Sequence, residues 1–343
     1  MATDNRQIVL IARPGAAGVT SDCFASEIVA RPKPGPGQFL IRIIYLSIDP
    51  AARGWIAEVP NYRDPVPLGA VMPGFTLGEI VESQNPEWRV GEIVYGRQGW
   101  REWAVSDGSD IVRRVDPDHG PLPINLSLLG LTGVTAYLGL TEIGQPKEGD
   151  TVVVSTAAGA VGSVVGQVAR ILGCHPVGIT GHADKVGLCI SEFGYAAAIN
   201  YKAVDDLSRW IRNTAPHGVN VYFDNTGGAI ADAAIENLAI HARVVICGTM
   251  AQPSDPTPSG PRWNRQILIK RARIAGFLIF DFADKFDTAV AQLAAWRQEG
   301  KITSREEYVD GIEAAPEALL RQLHGDNHGK MLVRVGDEPS GRS

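Results

Sequence analysis

The segment that most restricts the fold runs from Thr151 to Gly173. Thr151–Thr156 (TVVVST) is a β-branched run suited to a strand buried on both faces. It leads directly into Ala157-Ala158-Gly159-Ala160-Val161-Gly162. Beyond that turn, Val161, Val164, Val165, Val168 and Leu172 recur at helical spacing and share one face. Gly173 stops the helix, and Val177–Thr180 begins a second strand. Strand, glycine turn, helix and strand make a βαβ unit, which requires a parallel sheet with helices packed on its faces.

In that setting the A-x-G-x-x-G turn is the form of a dinucleotide fingerprint. Gly159 lets backbone approach a pyrophosphate, and Gly162 lets helix and strand pack closely. The helix N-terminus supplies unpaired N–H groups and partial positive charge. A site for NAD calls for Asp or Glu at the tip of the second strand, to accept from the ribose 2′-hydroxyl. Here the tip reads Ile179-Thr180-Gly181-His182-Ala183-Asp184-Lys185, with no acid at its end. A small residue, Lys185 and His182 suit a 2′-phosphate, so NADP(H) is the expected cofactor. A solvated loop lysine is the alternative for Lys185, and Asp184 is read as pointing away or capping the next helix.

At 343 residues the chain is long enough for two domains of roughly 100–200 residues each. Its texture divides accordingly. Residues 1–115 are β-rich, with short segments such as Phe39–Ile44, Gly78–Val81 and Glu92–Tyr95 bounded by Gly, Pro or Asn-Pro, as in a compact, partly closed sheet. From about Asn125 helical and strand patterns alternate. Asn220–Phe223, Arg243–Ile246 and Ile274–Phe280 read as strands, and Ile230–His241 and Phe286–Gln298 as helices. Residues 303–334 return to strand, helix (Ala315–Leu323) and strand, and periodicity leaves open whether these rejoin the first sheet. Four prolines between Ala251 and Arg262 mark a loop, or a lid at the carboxyl edge of the sheet.

Composition excludes several classes. A net charge of −6 disfavours a nucleic-acid binder. No apolar run approaches the ~18 residues of a membrane span, and MATDNRQIVL lacks the basic and apolar regions of a secretory signal; a cytoplasmic protein is expected. Cys23, Cys174, Cys189 and Cys247 form no CxxC pair, and His324 and His328 lack the glutamate of HExxH, so no metal is expected. Nor is there a GxSxG nucleophile elbow. Tyr62, Tyr137 and Tyr201 are proton-donor candidates. The basic stretch Arg262, Arg265, Lys270, Arg271 and Arg273 reads as a solvated helix face.

With these residues in view, the chain resembles the zinc-independent medium-chain dehydrogenase/reductases, in the prostaglandin reductase and alkenal double-bond reductase branch. The resemblance runs nearly end to end. It is carried by Tyr45–Gly54 (YLSIDPAARG), Leu129–Leu140 (LGLTGVTAYLGL), Ala157–Gly166 (AAGAVGSVVG), Asn200-Tyr201-Lys202, Tyr222–Gly228 (YFDNTGG), Val245–Gly248 (VICG), Gly276–Phe280 (GFLIF) and Gly325–Lys330 (GDNHGK).

The resemblance implies an α/β fold: a Rossmann doubly wound parallel sheet over 125–302, plus a β-rich GroES-like catalytic domain over 1–124 completed by 303–343. It implies NADPH donating hydride to the β-carbon of an α,β-unsaturated aldehyde or ketone, with protonation at the α-carbon, in a homodimer. A quinone reductase and a nucleotide-binding scaffold without turnover are the alternatives. By match, Lys185, Tyr201 and Asn327 hold the 2′-phosphate. Gly159, Ala160, Val161 and Gly162 face the pyrophosphate, with Thr135 near it or near the nicotinamide ribose. Asn225, Cys247, Gly248, Thr249 and Met250 and the backbone of Phe277, Leu278 and Ile279 line the ribose and nicotinamide. The chain departs from the family at Ala51-Ala52, where relatives carry Tyr-Met, and at Gln252-Pro253, near a usual tyrosine. Tyr62 matches a third pocket tyrosine and is the candidate for binding the enone oxygen.

Overall fold

Short β-branched and aromatic runs separated by Gly and Pro turns become strands in the first third of the chain. The computed structural model describes residues 4–16, 18–59, 61–251 and 260–339. In chain order the elements begin with β1 (Asp4–Leu10), β2 (Phe24–Ala30), β3 (Phe39–Ser47), α1 (Ala52–Trp55), β4 (Thr76–Ser83), β5 (Ile93–Gly96), β6 (Trp103–Ser106) and β7 (Ile111–Arg114). There follow α2 (Leu131–Leu138), β8 (Thr151–Ser155), α3 (Ala160–Ile171), β9 (His175–Thr180), α4 (Ala183–Ser191), β10 (Ala197–Asn200), α5 (Leu207–Thr214), β11 (Val219–Asp224), α6 (Gly228–Glu236), β12 (Leu238–Ile246), α7 (Asn264–Lys270), β13 (Arg273–Gly276) and α8 (Phe286–Gln298). The chain ends with β14 (Glu306–Asp310), α9 (Ala315–His324) and β15 (Lys330–Arg334).

The chain divides into two compact units, residues 1–126 with 306–343 and residues 127–305. In the first, a mostly antiparallel sheet has the order β14-β15-β3-β4-β5-β7, with β6 also paired to β3 and β14 parallel to β15. The C-terminal strands therefore do join the N-terminal sheet: Leu332 pairs with Ser47 and Val333 with Leu46. Ile8, Leu46, Ile48, Met72, Trp100, Met331 and Val333 form a core drawn from both ends of the chain. Each such side chain, fully buried, contributes about 1.5–3 kcal/mol.

The second unit is a six-stranded parallel sheet in the order β10-β9-β8-β11-β12-β13. This is the doubly wound arrangement, with the order reversing between β8 and β11. Val152, Val153 and Val154 are buried in β8, as expected for a strand covered on both faces. On α3, Gly166 is required by packing. A Cβ there would meet the Tyr195 ring at 2.2 Å, while the Tyr195 hydroxyl donates to the Gly162 carbonyl at 2.6 Å.

Two expectations are corrected. The helix read over Ile230–His241 ends at Glu236, and Leu238–His241 belongs to β12. Asn237 stops it by folding its amide Nδ2 back onto the Ala233 and Ser208 carbonyls, and Leu238 then pairs with Val219. The strand read over Ile274–Phe280 ends at Gly276. The Asp281 carboxylate takes the Leu278 N–H at 3.3 Å, and a 3₁₀ turn begins at Ile279. The lid or loop read between Ala251 and Arg262 falls mainly on 252–259, outside the described residues. The basic stretch lies on and around α7, none of whose residues is buried.

Candidate active site

The glycine turn closes tightly on the end of β8. Thr156 adopts a left-handed conformation, φ +53°, which is uncommon for a β-branched residue. Its carbonyl accepts from the Gly159 N–H at 2.9 Å. A Cβ at Gly162 would fall 2.3 Å from that same oxygen, and one at Gly159 would fall 2.9 Å from Thr156 Cγ2. Gly159 is the N-cap of α3, and no side chain caps the helix or places a carboxylate in its first turn. The N–H groups of Ala160, Val161 and Gly162 thus have no intrahelical partner. An uncapped, acid-free N-terminus at a glycine turn fits a diphosphate.

Beside it, the sheet order reverses between β8 and β11, where doubly wound folds bind ligands at the strands' carboxyl ends. A buried polar network occupies this point. Asp224, 1% exposed, accepts at Oδ1 from Ser155 Oγ (3.2 Å), Tyr222 OH (2.9 Å), Thr226 N (2.9 Å) and Gly227 N (2.8 Å). Its backbone carbonyl accepts from Cys247 N (2.8 Å) and Gly248 N (3.0 Å). Asn225 donates its backbone N–H to Ser155 Oγ at 2.8 Å and its amide Nδ2 to the Ser155 carbonyl at 2.7 Å. The Thr156 and Thr226 hydroxyls pair at 3.0 Å. Burial, and then the Asp224 carboxylate, push the Cys247 thiol up to about 12, so it is neutral and unreactive at neutral pH. Thr249 is exposed and Met250 half-buried; the Met250 N–H reaches the Asn225 carbonyl at 3.4 Å.

At the tip of β9, Lys185 is neither in a loop nor solvated: it stands in the first turn of α4 and is 8% exposed. Asp184 is exposed beside it and does not cap the helix, whose N-cap is His182. Tyr201 begins the turn after β10. A Cβ at Gly181 would lie 3.4 Å from the Tyr201 ring and 3.6 Å from Lys202 Nζ, so both side chains flank the β9 tip. Lys202 is a second cation here that sequence reasoning passed over; its position after Tyr201 was visible, its proximity to Gly181 was not. Elsewhere in this unit Thr135 is half-buried on α2. Phe277 packs against Gly139, where a Cβ would meet its ring at 2.6 Å. Leu278 has both backbone groups engaged with Asp281, and Ile279 is buried.

In the other unit Asn327 is 8% exposed, its amide donating to the Gly329 carbonyl at 2.7 Å. Tyr62 is 47% exposed, and its hydroxyl oxygen accepts from Trp55 Nε1 at 2.6 Å. Partial burial raises the phenol above its ordinary range, opposed by the Trp55 hydrogen bond and the Arg63 charge. The phenol is therefore neutral at physiological pH, with its proton available to donate. The Tyr137 ring instead stands edge-on to Trp296 at 5.8 Å, a packing role. Among the described residues no three His, Cys, Asp or Glu side chains converge on a metal-sized site, and no helix is long and apolar enough to cross a membrane.

A parallel sheet with an acid-free β9 tip, an uncapped glycine-turn helix and a separate, mostly antiparallel unit defines an NADP-dependent oxidoreductase. Family models described as "N-terminal domain of oxidoreductase" and "Zinc-binding dehydrogenase" match residues 6–113 and 160–295. The NADPH-dependent curcumin reductase of Escherichia coli is 38% identical, covering 97% of this chain and 98% of the relative. The NADP(+)-dependent 2-alkenal reductase of Nicotiana tabacum is 32% identical over 97% and 98%, and prostaglandin reductase 1 of Oryctolagus cuniculus 37% over 91% and 88%. The solved structure of CurA from Vibrio vulnificus in complex with NADPH superposes with a TM-score of 0.91 at 38% identity, covering 97% of this chain and all of that one. The chain belongs to the medium-chain dehydrogenase/reductase family, in the branch of NADP-dependent alkenal, prostaglandin and curcumin reductases, and its cofactor is NADP(H).

Proposed function

We propose that the protein reduces the carbon–carbon double bond of α,β-unsaturated aldehydes or ketones, hydride entering at the β-carbon and a proton at the α-carbon, without zinc. Bound NADPH supplies the hydride. The chain's own residues hold the cofactor and polarise the substrate carbonyl. Gly159, Ala160, Val161 and Gly162 offer N–H groups to the diphosphate, with Thr135 nearby. Lys185, Tyr201 and Lys202 receive the 2′-phosphate. Asn225, Cys247, Gly248, Thr249 and Met250 and the backbone at Phe277–Ile279 line the nicotinamide half.

The observation that carries the reading is the Tyr62 hydroxyl. Its oxygen is already occupied by the Trp55 N–H at 2.6 Å, so its own proton is free for a carbonyl oxygen. A neutral phenol is the form required; an ordinary tyrosine already has it at neutral pH, and partial burial shifts it further in that direction. Charge that develops on the carbonyl oxygen during reduction is stabilised by such a donor. By the family resemblance exposed Ala51 stands where a tyrosine is usual, which favours either larger enones or weak activity on simple enals; Ala52 packs in the core.

The reading includes a GroES-like fold for the antiparallel unit and a homodimer. The outer strand β13 pairs only with β12 among the described residues, and Leu268, Ile274, Leu278 and Phe280 are exposed on and around it. An apolar sheet edge of this kind favours pairing with a second copy. All four cysteines are free, in keeping with a reducing, cytoplasmic location.

The test is incubation with NADPH and a panel of enones, enals and quinones, with mass spectrometry of the products. Saturation of the carbon–carbon bond supports the proposal. A hydroquinone as sole product moves the protein to quinone reduction, and no product with tight NADPH binding points to a nucleotide-binding scaffold.

A further inference from the structure

We infer that the Asp224 side chain positions the nicotinamide half of the cofactor, acting through Ser155, Asn225 and the Thr226–Gly227 turn. This rests on the proposed placement of that half along β11 and β12. In a doubly wound sheet each three-stranded half carries one mononucleotide. Lys185, Tyr201 and Lys202 mark the β9–β10 side as the 2′-phosphate side. The other mononucleotide then belongs to the side that β11 begins, and Asp224 is the last residue of β11.

The geometry concentrates control there. One carboxylate oxygen gathers four donors from three segments: Ser155 at the end of β8, Tyr222 within β11, and the Thr226 and Gly227 amides entering α6. The same residue's carbonyl receives both amides at the end of β12. The buried side chain thereby ties the end of β8 to the end of β11 and the turn into α6, while the main chain of the same residue holds the end of β12. Ser155 passes the constraint on, since its Oγ donates to Asp224 and accepts the Asn225 N–H, and its carbonyl takes the Asn225 amide. A carboxylate buried to this degree is costly unless hydrogen-bonded, and here its bonds go to two strand residues, Ser155 and Tyr222, and to the Thr226–Gly227 turn. Asp224 itself need not touch the nucleotide.

The experiment compares two probes, NADPH and adenosine 2′,5′-bisphosphate, which carries only the adenosine half. Dissociation constants are measured by fluorescence titration and calorimetry on the full chain and on Asp224→Ala, Asp224→Asn, Ser155→Ala and Asn225→Ala. Asp224→Ala is expected to weaken NADPH at least about tenfold while the bisphosphate stays within about twofold. Asp224→Asn keeps an oxygen for the same donors and is expected to restore NADPH to within about threefold. Equal loss of both probes, loss of neither, or an Asn variant as weak as Ala overturns the inference. If Asp224→Ala does not fold, Ser155→Ala decides: a selective loss of NADPH of about threefold or more supports the inference, and an unchanged NADPH constant overturns it. Asn225→Ala separates the two layers. If it too leaves NADPH binding intact, the placement of the nicotinamide half fails; if it weakens NADPH while Asp224→Ala does not, only the positioning role fails. No readout depends on turnover, so the outcome is independent of the substrate reading.

Discussion

The indole Nε1 of Trp55 donates to the hydroxyl oxygen of Tyr62 at 2.6 Å. A phenol that accepts in this way has its own proton left to give. Arg63 lies over the Trp55 ring at 5.2 Å, adding a positive charge that favours donation by the phenol.

From this pair follows the first expectation. Tyr62→Phe should lower turnover of an enone by about 10²-fold with NADPH affinity unchanged. Trp55→Phe should lower it less, because the phenol remains but loses the Trp55 hydrogen bond. Steady-state kinetics with a parallel NADPH titration check both; wild-type turnover in Tyr62→Phe would reduce Tyr62 to a packing residue.

Cofactor selectivity should rest on the cations at the β9 tip. Lys185→Ala is expected to weaken NADPH by about 10- to 100-fold, the worth of one charge-assisted contact, and to leave NADH nearly unaffected. Lys202→Ala should act in the same direction by a smaller factor, being exposed and better screened. The ratio of the two cofactors' dissociation constants is the measurement, and parallel losses for both would count against a phosphate role.

Substitution in the glycine turn should separate binding from folding. Gly159→Val places a Cβ 2.9 Å from Thr156 Cγ2 and further methyls where a diphosphate must approach. NADPH binding should be abolished in a chain whose circular dichroism is unchanged. Retained affinity in the folded variant would remove the turn from the site.

Stability of the antiparallel unit should depend on a buried ion pair. Lys330, 1% exposed, donates to Asp49 Oδ1 at 2.7 Å and to the Ile48 carbonyl at 2.6 Å. Lys330→Met leaves the mostly buried Asp49 carboxylate without its counter-charge and should cost about 3–5 kcal/mol. Urea unfolding measures it. A double variant with Asp49→Asn should recover part of the loss, since no uncompensated charge remains.

Alkaline pH should destabilise the fold through its thiols. Burial raises Cys174 to about 11 and Cys189 to about 12, from an ordinary 9.0. The neutral thiol is favoured in the folded state, so this contribution is complete below pH 9 and declines as pH rises through 11 to 12. Urea midpoints across that window should fall, and Cys189→Ala should flatten the decline. An unchanged slope would assign the effect to other groups.

The strand, turn and helix over Thr151–Ile171 were legible in the sequence because their determinants are local. β-Branched residues, two glycines and a helical stripe lie within about twenty positions and each points to the same structure. The acid-free β9 tip was legible for the same reason, as was α8. Chain order alone was silent on relations between distant residues. Lys330 and Asp49 are 281 positions apart, and only the pairing of β15 with β3 brings them together. The end of α6 depended on Asn237 reaching back to Ser208, 29 positions earlier, which overrode a helical periodicity that ran on to His241. Lys202 drew its meaning from Gly181, and Asp224 from donors on β8 and β11 and at the end of β12. Local spacing specifies which residues can share a helix face or a turn. Which carboxylate is buried, and what it holds in place, is decided when the strands align, because burial and hydrogen-bond partners are properties of the packed sheet.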